Sequence, residues 1–213
     1  IQASTIFNQV SPSAYVRGNG HAVSFTLALL DHLESTGARV INGACTFRLE
    51  LDKIAQIRLM RDLGMDYPWT VAFNNVDALR DHELNLNFPA ILKPNQGGSG
   101  ARMAEVSSLN ELTSLLEAEP SLWQPDPVLL LQEKLDHDPG KQGIVRLEFL
   151  DGELLYAMRV VGVSGFNLCP SIDCNPEGDE VGICEVPNST PASDPQFLPY
   201  PEVPAEVVEE ASR

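Results

Sequence analysis

The segment from Phe88 to Glu105 constrains this chain more than any other. Its apolar residues Ala90, Ile91 and Leu92 read as a strand that delivers Lys93, and the glycine-rich turn Gln96-Gly97-Gly98-Ser99-Gly100 follows. Ala101 to Val106 is expected to return beyond the glycines as the hairpin partner. Glycine tolerates positive φ and lets backbone N–H groups approach an anion with no side chain in the way. Lys93 would add a point charge for the same anion. Two readings are open at this point: a plain hairpin turn beside a solvated lysine, or a phosphate-binding loop.

The flanking sequence supplies an α+β framework. Ser4 to Val10 reads as a strand entering the loop Ser11 to Gly20. Phe25, Leu29, Leu30 and Leu33 fall at helical spacing, Gly37 stands where a C-terminal cap belongs, and Ala38 to Ile41 resumes as a strand. A second helix over about 50–63 places Ile54, Ile57, Met60 and Leu63 on its inner side, with Lys53 in its first turn and Gly64 closing it. Tyr67 to Phe73 is extended and 77–86 helical. Ser108 and Glu111 form a capping box ahead of the stripe Leu109, Leu112, Leu115 and Leu116, which reads as a core face. Pro120, Pro125 and Pro127 then break the chain, and Val128 to Leu135 reads as a buried strand. Pro187 to Pro204 reads as a surface loop, and a last helix begins near Ala205.

Between these lies a hairpin whose register follows from its turn. If Asp151-Gly152 occupies two turn positions, Leu150 pairs with Glu153, Glu148 with Leu155, Arg146 with Ala157 and Ile144 with Arg159. Arg146 and Arg159 would then be diagonal neighbours on one face, about 7–8 Å apart. That is unfavourable unless an anion or a carboxylate such as Glu148 lies between them, so a salt-bridge cluster and a ligand site are both open.

A formal charge of -16 over 213 residues disfavours nucleic acid or an anionic membrane as the main partner, so any bound phosphate needs a local positive pocket. No apolar run approaches the roughly 20 residues of a spanning helix. Cys45, Cys169, Cys174 and Cys184 form no CxxC pair, and their spacing, with His137 upstream, matches no common zinc pattern; free thiols in a reducing, cytoplasmic setting are expected. The start Ile1-Gln2-Ala3-Ser4 and a final helix of about two turns lead us to expect a fragment.

In chain order, Arg39-Val-Ile-Asn42, Leu51-Asp-Lys53, Ile91-Leu-Lys-Pro94 with its glycines, Gln132-Glu133, Val145-Arg-Leu-Glu-Phe149 and Phe166-Asn-Leu168 resemble the ATP-grasp superfamily. The nearest likeness is to RimK-type and glutathione-synthetase-like carboxylate–amine ligases. The resemblance implies an ATP-grasp fold of two α+β subdomains with nucleotide between them: residues 1–45 would end a small preceding α/β domain, 46–135 would form the N-terminal subdomain, and 136–213 would begin the C-terminal one. It implies that Lys53 and Lys93 touch the phosphates of ATP under a lid made by Gln96, Gly97, Gly98, Ser99 and Gly100. Gln132, Glu133, Lys134 and Leu135 would be the adenine hinge, with Glu133 and Leu135 as its backbone contacts. Asp138 and Asn167 would also line the nucleotide. Arg146 and Arg159 would be the catalytic pair, meeting the transferred phosphoryl group or the substrate carboxylate.

The reaction implied is carboxylate plus ATP to an acyl phosphate, then attack by an amine to give an amide or peptide bond. The partners implied are ATP and small-molecule or peptide substrates, with self-association open. Magnesium is implied too, through ligands expected beyond the last helix. One departure concerns ribose: the acidic residue expected two positions before Arg146 is Ile144. A non-catalytic, ATP-binding regulatory module on the same fold is the alternative.

Overall fold

Parallel pairing of two short strands requires a crossover, and the N-terminal region supplies one. Strand β1 (Thr5–Phe7) is followed by a 3-10 turn (Pro12–Arg17), helix α1 (Gly20–Ser35) and strand β2 (Arg39–Ile41). β1 and β2 run parallel with Ile6 opposite Val40, as the strand–helix–strand reading requires. This is a computed structural model, and it describes residues 5–81, 87–98, 100–135, 144–161, 166 and 196–213. Gly37 ends α1 at φ +83, its N–H donating to Glu34 O while Ala38 N–H donates to Leu33 O. That pair of bonds satisfies carbonyls left over at the helix end, and the left-handed residue it needs is why glycine stands there.

The buried side of α1 keeps Leu30 and Leu33 of the expected stripe and adds Val23, whereas Phe25 is 68% exposed. The reason is helix α2 (Ala44–Leu51), which sequence periodicity did not resolve. It contributes Ala44 and the fully buried Phe47 to a cluster with Ala14, Val23 and Leu30. Truncating Phe47 would cost about 3–5 kcal/mol by the general behaviour of buried aromatics.

The helix expected over 50–63 starts later, because residues 50 and 51 end α2. The chain extends at Asp52 (φ -127, ψ 98), and helix α3 (Lys53–Asp62) restarts with the Asp52 carboxylate accepting from Ala55 N–H at 3.0 Å. Nothing in α3 is fully buried, and Ile54 and Leu63, expected inward, are each 37% exposed. Gly64 closes it at φ +71, as expected.

The second sheet contains β3 (Thr70–Phe73), β4 (Ala90–Pro94), β5 (Ala104–Val106) and β6 (Leu129–Glu133) in the antiparallel order β3-β6-β4-β5. The hairpin across the glycine turn forms as expected, with Leu92 opposite Ala104. β6 is central, which accounts for its unbroken apolar run. Alternation along β4 and β6 sends Leu92, Leu129 and Leu131 to one face, where they pack with Phe73, Leu79 of α4 (Val76–Asp81), and Leu112 and Leu116 of α5 (Leu109–Ala118). Ser108 Oγ accepts from Glu111 N–H at 3.1 Å, and Glu111 reaches back to Ser107 N–H at 2.7 Å. The same alternation sends Ile91, Lys93, Leu130, Gln132 and Thr70 to the opposite face.

In the third sheet β7 (Ile144–Leu150), β8 (Glu153–Val161) and β9 (Gln196–Pro199) are antiparallel. Asp151 (φ +54) and Gly152 (φ +82) make the two-residue turn, and Leu150 pairs with Glu153. Beyond that the expected register fails. A bulge at Leu155 pairs Glu148 with Tyr156, Arg146 with Met158 and Val145 with Arg159. One extra residue moves every later side chain to the other face, so Arg146 and Arg159 lie on opposite faces of the ladder. Strand β9 also corrects the reading of Pro187 to Pro204 as wholly loop. Helix α6 (Ala205–Ala211) begins where expected.

Candidate functional site

Lys53 and Lys93 come from elements far apart in sequence, and a buried asparagine joins them. Asn95, 7% exposed, follows β4 directly. Its side-chain carbonyl accepts from Ile54 N–H at 3.0 Å, its amide donates to Asp126 Oδ2 at 3.2 Å, and its own N–H donates to Val128 O at 3.0 Å. Asp126 in turn accepts from Val128 N–H at 3.0 Å. Asn95 and Asp52 together satisfy free donors of the first turn of α3, docking that helix end onto the end of β4. Sequence reasoning missed this junction, although Lys-Pro-Asn-Gln carries a polar residue where the strand ends.

Docked in this way, Lys53 Nζ donates to Asn95 O at 3.1 Å and to Gly97 O at 2.9 Å. An ammonium has three protons, so one donor direction remains. Lys93 Nζ donates to Gln132 Oε1 at 2.6 Å, and Gln132 Nε2 donates to Thr70 Oγ1 at 2.8 Å. Gln132, expected at the adenine hinge, therefore orients Lys93 with its side chain. Neither lysine is paired with a carboxylate among the described residues. Burial, then the charge of Lys93, lowers the Lys53 pKa to about 8, with Asp126 opposing. Burial also lowers that of Lys93. Two half-desolvated cations at one turn are costly for a folded chain and complementary to an anion.

The glycine turn divides its work. Gly97 is needed for space: a Cβ there would lie 3.1 Å from Pro94 Cγ and 3.2 Å from Tyr15 Oη. Gly100 is needed for its φ of +70. Gln96 is half-buried at the entrance to the turn, and Gly98 faces Ser13 of the N-terminal 3-10 turn. Arg102 follows at φ +58 with its guanidinium 4.9 Å from the centre of the Tyr15 ring. The loop Ser11 to Gly20 thus forms one wall of the turn, through Tyr15, which carried no signal by itself.

Glu133 N–H donates to Trp69 O at 2.8 Å, and its carboxylate accepts from Trp69 N–H at 3.1 Å, so that amide is already satisfied by the protein. Lys134 pairs with Glu105 at 2.7 Å on the surface, and Leu135 is 56% exposed beyond the strand end. Arg159 stacks over Tyr200 at 4.9 Å, on the face opposite Arg146. Ser99, Asp138, Asn167, His137, Cys169, Cys174 and Cys184 lie outside the described residues. Among the described residues no three of His, Cys, Asp or Glu are grouped to hold a metal ion, and no helix is long and apolar enough to cross a membrane.

No family model matches the chain. Curated relatives do. D-alanine--D-alanine ligase A of Bacillus cereus is 26% identical over 143 residues, 67% of this chain and 43% of that protein. Coenzyme gamma-F420-2:alpha-L-glutamate ligase of Methanococcus maripaludis is 29% identical over 141 residues, 64% of this chain and 47% of that protein. The chain thus spans less than half the length of either relative. Among solved structures, VanG D-Ala:D-Ser ligase from Enterococcus faecalis superposes with a TM-score of 0.63 at 20% identity, over 99% of this chain and 55% of that one. The RimK-domain ATP-grasp protein of Sphaerobacter thermophilus gives 0.57 at 20% identity, over 75% and 55%. The chain has the ATP-grasp fold, and the resemblance read from its sequence to that superfamily holds.

Proposed function

We propose that this chain is the nucleotide-binding part of an ATP-dependent carboxylate–amine ligase, in which ATP phosphorylates a carboxylate and an amine displaces phosphate from the acyl phosphate. The observation that carries the reading is the pair Lys53 and Lys93, both half-desolvated and without carboxylate partners among the described residues, brought to one glycine turn by the Asn95 junction. The donor set fits a polyphosphate: ammonium groups with protons to spare, beside a turn where Gly97 keeps its backbone clear of a side chain that would crowd Pro94 and Tyr15. In this reading Gln132 and Thr70 hold Lys93 in place, and the face of β4 and β6 away from the core carries the nucleotide. The described residues offer magnesium no ligand set, so no step is assigned to it. Ligand classes in the curated relatives, an amino acid and a glutamate, are consistent with small carboxylate and amine substrates.

Calorimetric titration with ATP and magnesium tests the reading. Binding at micromolar to low millimolar concentration, competed by ADP, is the expected result. No heat and no thermal stabilisation at about 5 mM nucleotide would remove it.

A further inference from the structure

Outside the lysine pair, one place in the molecule concentrates unfavourable features that no packing argument explains. Tyr15 Oη and Arg102 Nη1 are both fully buried, and neither has a hydrogen-bond partner among the described residues. A buried donor left unmade costs about 1–3 kcal/mol, and more when it is charged. Arg102 also holds a left-handed φ of +58, an uncommon conformation for a residue other than glycine. Its guanidinium stacks on the Tyr15 ring at 4.9 Å, so the two orphan donors sit together. Burial pushes the Tyr15 phenol up, with Arg102 partly opposing, so the hydroxyl keeps its proton at neutral pH.

The pair lies against the phosphate turn. A Cβ built on Gly97 would be 3.2 Å from Tyr15 Oη and 3.9 Å from Lys53 Nζ, which sets phenol and ammonium both within 4 Å of the same point. No carboxylate is paired with Arg102 among the described residues, in a chain with 30 acidic residues. The charged groups here, a guanidinium and an ammonium, carry only donors, and the phenol adds a further O–H. Strain and unmet donors gathered in one spot are the mark of a site whose partner is a ligand.

We propose that Tyr15 and Arg102 form an oxyanion seat on the N-terminal side of the glycine turn, recognising beside Lys53 a carboxylate or phosphate group other than the phosphates of ADP. This deepens the nucleotide reading and rests on it only for which oxyanion arrives. The seat couples the N-terminal unit to the turn, because one donor comes from each.

The test titrates the chain with inorganic phosphate, acetate and ADP in turn, as wild type and as Tyr15→Phe, Arg102→Gln and the exposed control Arg17→Gln. We expect phosphate or acetate to bind the wild type, with affinity lost about tenfold in Arg102→Gln and severalfold in Tyr15→Phe, while Arg17→Gln and ADP affinity change less than twofold. Loss of phosphate alone assigns the seat to a phosphoryl group, and loss of acetate alone to a carboxylate. Ligand-free Tyr15→Phe, which keeps the ring under Arg102 and removes only the orphan hydroxyl, should melt no lower than wild type. Absence of either anion's binding to wild type, wild-type affinity in both seat variants, or an equal loss in Arg17→Gln overturns the proposal. If ADP fails to bind while the anion losses persist, the nucleotide reading falls and the seat stands. If ADP binds and the anion losses are absent, the seat falls alone.

Discussion

Two regions of this chain carry the same sequence signature, a pair of like charges expected to face one anion, and the structure treats them in opposite ways. Lys53 and Lys93 are 40 residues apart in sequence and meet at the glycine turn, near enough for one to lower the pKa of the other. Arg146 and Arg159 are joined by a short hairpin and end on opposite faces. Proximity in sequence was the poorer guide. The lysines are placed by a helix start and a strand end, each with its own local signal, and are held by a junction with several hydrogen bonds. The arginines depend on a register, and one bulged residue reverses a register.

The comparison can be broken most sharply at Lys93. We expect Lys93→Ala to weaken ATP binding by at least about tenfold in calorimetry, with the circular dichroism spectrum and melting temperature close to wild type, because a charge-assisted contact to phosphate is removed and a costly buried cation with it. Unchanged affinity would reduce the lysine corner to the status of the arginine hairpin.

The next effect in size concerns the junction. Asn95→Ala leaves Ile54 N–H without a partner and removes one of the donors to the Asp126 carboxylate, and should cost about 2–3 kcal/mol in urea unfolding while also weakening ATP. A variant that loses stability and keeps full nucleotide affinity would separate the junction from the site.

Lys53 sharpens the same comparison through pH. Its pKa of about 8 in the fold lies below the unfolded value near 10.4, so the unfolded chain binds more protons between those limits. The contribution of this group to stability therefore rises as pH increases from about 8 to about 10.4, while ATP affinity falls as the ammonium is lost. We expect a decline of up to tenfold per pH unit above 8, absent in Lys53→Arg. A flat binding profile between pH 7 and 9.5 would contradict the desolvated-cation argument.

Arg159→Ala should give the smallest change. Its guanidinium stacks on Tyr200, a contact worth about 0.5–1 kcal/mol at a partly exposed site, and nothing sets it beside the lysines. Differential scanning fluorimetry should show a shift of a few degrees at most, with ATP affinity unchanged. A large loss of affinity would show that the hairpin comes to the nucleotide after all.

Legibility followed the range of the forces involved. The Ser108–Glu111 capping box and the glycine closures at Gly37 and Gly64 were readable because their partners lie within five residues, and the α5 stripe because its period is written in the sequence. Phe25 alone left the expected stripe, facing out while Leu30 and Leu33 are buried, because nothing local announces which apolar side a neighbour will cover. Asn95, Thr70 and Tyr15 were invisible for a related reason: a polar residue in a loop or strand end has no pattern until its partner arrives from another element.

The sequence by itself determined most of the elements, the glycine turn and the two lysines, one at a helix start and one at a strand end, since propensity, capping and chain flexibility act over a few residues. Tertiary structure decided which charges meet. Whether a cation is buried, paired or repelled depends on register and on docked helix ends: a change of one residue reverses the face in a strand and turns the side chain by about 100° in a helix.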